Sequence, residues 1–115
     1  MEITVRKQGE TTILDLSGNL ILGPPVALFR EKILELLEAG DKVIAVNLAS
    51  VSFLDSSGIG AMIGARTSIE SKGGKLCFYS ALPRVIRTLE TAHVDEVLNI
   101  QRNEAAALAS FGSTV

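Results

Sequence analysis

The 115-residue sequence has no tryptophan, one tyrosine, one histidine and one cysteine, and each scarcity narrows the functions it can support. With aromatic residues at 4%, a large stacking pocket for a cofactor or a nucleobase is hard to assemble. A lone cysteine, Cys77, can close no internal disulfide and cannot build a multi-cysteine metal site. Neither a metal nor a cofactor is expected. An excess of charge of one sign is missing too. Eleven Lys and Arg against 13 Asp and Glu give a net charge of −2, without the basic surplus that holds nucleic-acid phosphates or an anionic membrane. No uncharged apolar run approaches the roughly 18 residues needed to span a bilayer. The opening Met1-Glu2-Ile3-Thr4-Val5-Arg6 lacks the basic stretch and apolar run of a secretory signal. The expectation is a reduced, cytoplasmic protein that binds no nucleic acid directly, does not insert into membranes, and serves as a binding module rather than an enzyme.

What is present is apolar sequence, at 47%, in a chain of the length of one ordinary domain spanning residues 1–115. A chain of this size buries about two-thirds of its unfolded surface and can build a core unaided. Alternation over Glu2–Arg6 and again over Thr12–Ser17, around Lys7-Gln8-Gly9-Glu10, predicts an opening β-hairpin. Pro24-Pro25 then leads into Val26, Phe29, Ile33, Leu36 and Leu37 at helical spacing, with Gly40 as the stop. The continuous run Val43–Leu48 suits a central strand buried on both faces and paired in parallel with a later strand. Residues 57–72 return to helical spacing through Ile59, Met62, Ile63, Arg66 and Ile69, ending at Gly73-Gly74. A strand over Lys75–Ser80, a helix from Pro83 carrying Val85, Ile86 and Leu89, and a last helix from about Asn103 to Phe111 complete the series. The class is α/β, with one mixed sheet made of the hairpin and a parallel βαβ unit, and about four helices packed on it.

The stretch with chemical content is Ser50-Val51-Ser52-Phe53-Leu54-Asp55-Ser56-Ser57-Gly58-Ile59-Gly60. It leaves the buried strand and opens a helix, at the carboxyl end of the sheet where α/β folds place their sites. Asp55 or a serine there can act simply as a helix N-cap. Alternatively, one serine hydroxyl is a phosphoacceptor, whose phosphoryl group would meet the helix dipole and nearby N–H donors. Residue chemistry alone does not choose between Ser56 and Ser57. Two other readings fail on spacing. Gly58-x-Gly60-x-x-x-Gly64 puts its third glycine one position late for a dinucleotide fingerprint, and no acid ends the following strand at Ser80. A serine hydrolase would need a Gly-x-Ser-x-Gly elbow, which is absent, and a base, for which His93 is the one histidine. His93 reads as a surface or boundary residue, Cys77 as a packing residue, and Arg84 and Arg87 as a solvated face able to pair with acidic partner residues.

The run Val51-x-Phe53-Leu54-Asp55-Ser56-Ser57-Gly58-Ile59-Gly60 resembles the signature of the STAS domain family, and within it the bacterial anti-sigma factor antagonists. Leu16-x-Gly18-x-Leu20, Asn47-Leu48, Gly73-Gly74 and the alanine-rich last helix extend the likeness over nearly the whole chain. The resemblance implies the STAS fold and partner switching. The unphosphorylated antagonist would bind an anti-sigma factor that is also a serine kinase of the histidine-kinase-like ATPase type, freeing a sigma factor. Phosphorylation of the serine after the motif aspartate, Ser56 here, would end the complex, and a PP2C-type phosphatase would reset it. Ile21, Leu22, Asp55, Ser57, Gly58 and Ile59 are then the expected partner-binding residues, on a monomer or weak dimer. One position departs from the pattern: the family usually has aspartate where this chain has Ile21. That substitution opens the alternative of a non-switching STAS scaffold, or a subunit of a signalling complex or lipid-transport ATPase. Ile21 or Leu22 would extend the strand or plug the sheet end, or the pair would form an apolar docking patch.

Overall fold

A computed structural model of the chain describes residues 1–112; residues 113–115, the last of the expected domain span, lie outside the described residues. Strands β1 (Glu2–Gln8) and β2 (Thr11–Ser17) form the opening hairpin. They run longer than the alternation suggests, because Gly9 takes a left-handed φ of 64° and lets a two-residue turn close directly on the Gln8–Thr11 pair. Then follow α1 (Pro24–Glu38), β3 (Val43–Ser50), α2 (Ser56–Ser71), β4 (Lys75–Tyr79), α3 (Pro83–Thr91), β5 (Ile100–Gln101) and α4 (Glu104–Ser110). The sheet has the order β1-β2-β3-β4-β5, with β1 antiparallel to β2 and every later pair parallel. The mixed sheet with four helices is the expected architecture. The short strand β5, which pairs with Phe78 and Tyr79, was not expected, since two residues carry no period.

Alternation divides the sheet into two faces of unequal cover. Leu14 and Leu16 of β2, Ile44, Val46 and Leu48 of β3, and Leu76 and Phe78 of β4 belong to the main core with residues of α1, α2 and α3. The intervening Ile13, Ala45, Cys77 and Tyr79 form a smaller cluster with Ala107 and Phe111, on which α4 lies. Strand β3 is apolar from Val43 to Val46, where both of its faces are covered. In α2 the buried stripe differs from the expected one. Gly58, Ala61, Met62, Ala65 and Ile69 face the core, whereas Ile59 and Ile63 sit half-buried at its margin. Small side chains on that stripe let α2 approach its neighbours closely.

A polar cluster closes the α4 face near the carboxyl ends of the strands. The Arg6 guanidinium donates to Asp15 from Nε (2.7 Å) and to Glu104 from Nη2 (2.6 Å). Asn47 Nδ2 donates to Asp15 at 2.8 Å, and the Tyr79 hydroxyl donates to Glu104 at 2.8 Å. Arg6 holds both carboxyls below the usual carboxylate range, with Tyr79 adding to the effect at Glu104 and Asn47 at Asp15. The cluster ties β1, β2, β3 and β4 to the first turn of α4.

Candidate functional site

After β3 the chain does not turn straight into α2. Gly18 donates to the Ser50 carbonyl at 3.0 Å, Leu20 donates to the Phe53 carbonyl at 3.0 Å, and Leu20 pairs with Leu54 in an isolated parallel bridge. The segment after β2 therefore runs alongside the segment after β3. Asp55 joins the two at the start of α2. One carboxylate oxygen accepts from the Gly58 N–H at 2.8 Å, the N-cap contact, and the other accepts from the Leu22 N–H at 2.9 Å. These donors, Leu22 first, hold the carboxyl below its usual range.

Gly58 is required by the same closeness. A Cβ at this position would sit 2.1 Å from the Leu20 carbonyl oxygen, a backbone atom with no rotamer to move away. The spacing Asp55-x-x-Gly58 thus has a local reason: the acid caps the helix while holding the 20–22 loop, and the glycine admits that loop.

This arrangement sorts the expected site residues. Ser56 is the exposed first residue of α2, while Ser57 is half-buried. Leu22 is 73% exposed, and Ile21 is half-buried with its carbonyl accepting from Val26 at 3.3 Å. Neither extends β2, which ends at Ser17, so the strand-extension expectation is replaced by a loop with an apolar tip. Ile59 lies at the margin of the core beside Ser56. Of the N–H donors expected at the helix start, that of Gly58 is taken by the Asp55 side chain, while the Ile59 N–H makes the ordinary intrahelical bond to the Asp55 carbonyl at 3.0 Å.

Two features went unforeseen. Phe53 is 52% exposed near the Leu22 loop, which adds to the apolar surface at this end of the sheet. Arg84 and Arg87, read in the sequence as a solvated face able to pair with acidic partner residues, line one groove together with Ser56. Leu54, Asp55, Ser56 and Ile59 form one wall of it, and Arg84, Arg87, Thr88 and Thr91 come from α3. Their i, i+3 spacing marks a common helix face, but what that face looks onto is set by tertiary packing. Elsewhere, His93 is exposed, and burial pushes the Cys77 thiol up to about 11, the protonated and unreactive range. Among the described residues no cluster of His, Cys, Asp and Glu has the makings of a metal site, and no helix is long and apolar enough to cross a membrane.

The model of the STAS domain matches residues 2–107 of this chain. An anti-sigma-B factor antagonist of Bacillus subtilis is 29% identical over 96 residues, which cover 82% of this chain and 85% of the relative. Among solved structures, a Thermotoga maritima protein provisionally described as an anti-sigma factor antagonist superimposes with a TM-score of 0.86 at 23% identity, over 94% of this chain and 92% of that one. The anti-sigma factor antagonist SpoIIAA in its unphosphorylated form matches with a TM-score of 0.73 at 21% identity, over 98% and 100% of the two chains. Bacillus SpoIIAA in its phosphorylated form matches with a TM-score of 0.71 at 22% identity, over 96% and 99%. At these identities the structural matches establish a shared fold.

Proposed function

This chain belongs to the STAS domain family, and from that premise we propose that it is a cytoplasmic anti-sigma factor antagonist, not itself a catalyst, switched by phosphorylation of Ser56. The observation that carries the proposal is the placement of Ser56. Exposed Ser56 follows the Asp55 cap directly and lines the α2–α3 groove, at the end of the sheet where Leu22 and Phe53 are exposed. Unmodified, this end of the sheet offers a small neutral hydroxyl beside apolar surface, which suits a protein partner. That partner is an anti-sigma factor which doubles as a serine kinase of the histidine-kinase-like ATPase class. Ile21, Leu22, Asp55, Ser57, Gly58 and Ile59 make or shape the contact.

The kinase transfers the γ-phosphoryl group of ATP to Ser56 Oγ. The Oγ–P bond forms as the bond between the γ-phosphorus and the β–γ bridging oxygen breaks, ADP leaves, and the hydroxyl proton passes to solvent. A PP2C-type phosphatase hydrolyses the phosphoester with water and restores the hydroxyl. The phosphoryl group adds roughly −1.5 to −2 charges at the centre of the docking surface. An interface packed around a hydroxyl would have to desolvate that anion, a cost of several kcal/mol unless it is paired. Each 1.4 kcal/mol is tenfold in affinity, so the switch needs no change of fold.

The test is a pair of variants. Ser56→Ala should bind the cognate kinase as tightly as the unmodified protein and block release, whereas Ser56→Asp should bind at least tenfold more weakly. Equal affinities would contradict the switch and favour a non-switching STAS scaffold, the reading that Ile21 in place of the family aspartate leaves open.

A further inference from the structure

We propose that Arg84 and Arg87 of α3 receive the phosphoryl group of Ser56 within the same chain, bridging the α2–α3 groove in the phosphorylated form. The proposal rests on Ser56 being the phosphoacceptor and concerns what holds the phosphate once it is attached. Ser56 and both arginines line one groove, the serine from the start of α2 and the arginines from the facing side of α3. Both arginines are exposed, and neither forms an ion pair among the described residues. The other charged group of the groove is Asp55, whose carboxylate is committed to the Leu22 and Gly58 N–H groups.

The start of α2 offers the phosphate little. The Gly58 N–H is bonded to the Asp55 carboxylate, the Ser57 N–H acts on the same carboxylate, and that carboxylate repels a neighbouring dianion. A phosphoserine at position 56 is thereby driven away from its own helix start and across the groove. Guanidinium is the group best shaped to meet it, since its planar fork donates two parallel hydrogen bonds to phosphate oxygens. The expected consequence is double. Phosphorylation adds an anion to the docking surface and at the same time withdraws two cations from any acidic segment of a partner, so the groove changes from net positive to net negative.

The test uses the full chain with phosphoserine installed at position 56 during translation, and reads the second phosphate ionisation by 31P NMR over a pH series. In the otherwise unaltered protein this pKa should lie below the ordinary value of about 6, by roughly one unit. The double variant Arg84→Gln/Arg87→Gln should return it to the ordinary value, and Arg84→Lys/Arg87→Lys should retain most of the depression. The same phosphate pKa in the unaltered protein and the Gln variant overturns the proposal. A second measurement needs no variant: the Nε–H resonances of Arg84 and Arg87 should shift on phosphorylation, and unmoved resonances also overturn it. Because no kinase takes part, failure here leaves the phosphoacceptor assignment standing. Failure of a kinase to modify Ser56 would in turn bear on that assignment alone.

Discussion

Two polar clusters stand near the carboxyl ends of the central strands, on opposite faces of one sheet, and they are finished to different degrees. On the α4 face, Arg6, Asp15, Asn47, Tyr79 and Glu104 bond to one another. On the α1–α3 side, Asp55 accepts from backbone N–H groups, Arg84 and Arg87 pair with no carboxylate among the described residues, and Leu22 and Phe53 stand exposed. The first cluster pairs its charges with one another. Its geometry is explained by joining four strands to α4. The second spends the Asp55 hydrogen bonds on shaping a backbone and leaves both arginines without an ion pair among the described residues, the condition of a surface that is completed by something else.

The contrast breaks most directly at Gly58. Gly58→Ala forces a Cβ against the Leu20 carbonyl, and the loop or the helix must move. We expect a loss of about 2–3 kcal/mol, the upper part of the range for overpacking, read from urea denaturation. A loss below about 0.5 kcal/mol would mean that the loop is not anchored as described.

Acid should test the finished cluster next. Asp15 and Glu104 have folded pKa values lowered by Arg6, so their contribution is present above the unfolded values near 4 and is lost as pH falls through the folded ones. The urea midpoint should therefore hold between pH 7 and about 5 and fall below about 4. Asp15→Asn should flatten that fall, and an unchanged acid profile would show that the cluster carries little of the stability.

The smallest stability effect belongs to the open surface. Leu22→Ser and Phe53→Ser should change stability by no more than about 0.5 kcal/mol, because both side chains already face solvent. Binding to the proposed kinase partner should nevertheless weaken by tenfold or more. Variants that bind normally would remove Leu22 and Phe53 from the docking surface and leave the groove alone.

Much of this division was legible in the residues. Val43–Leu48 announced a strand covered on both faces, and Asp55-Ser56-Ser57-Gly58 announced a capped helix start carrying an available hydroxyl. The choice between Ser56 and Ser57 could not be made from chemistry, because the two differ in exposure, which depends on how α2 sits on the sheet. Long-range placement hid the rest. Nothing local links Leu22 to Asp55, 33 residues on, or Arg6 to Glu104, 98 residues on. Strand β5 escaped because two residues acquire their structure from β4 and not from their own pattern.

The central claim is that the hydroxyl of Ser56 is the phosphoacceptor. Incubation of the protein with its cognate kinase and ATP, followed by peptide mass spectrometry, tests it directly. The account predicts a single added phosphoryl group on Ser56, absent from Ser57 and abolished in Ser56→Ala. An unmodified Ser56, under conditions in which the kinase is demonstrably active, would contradict it.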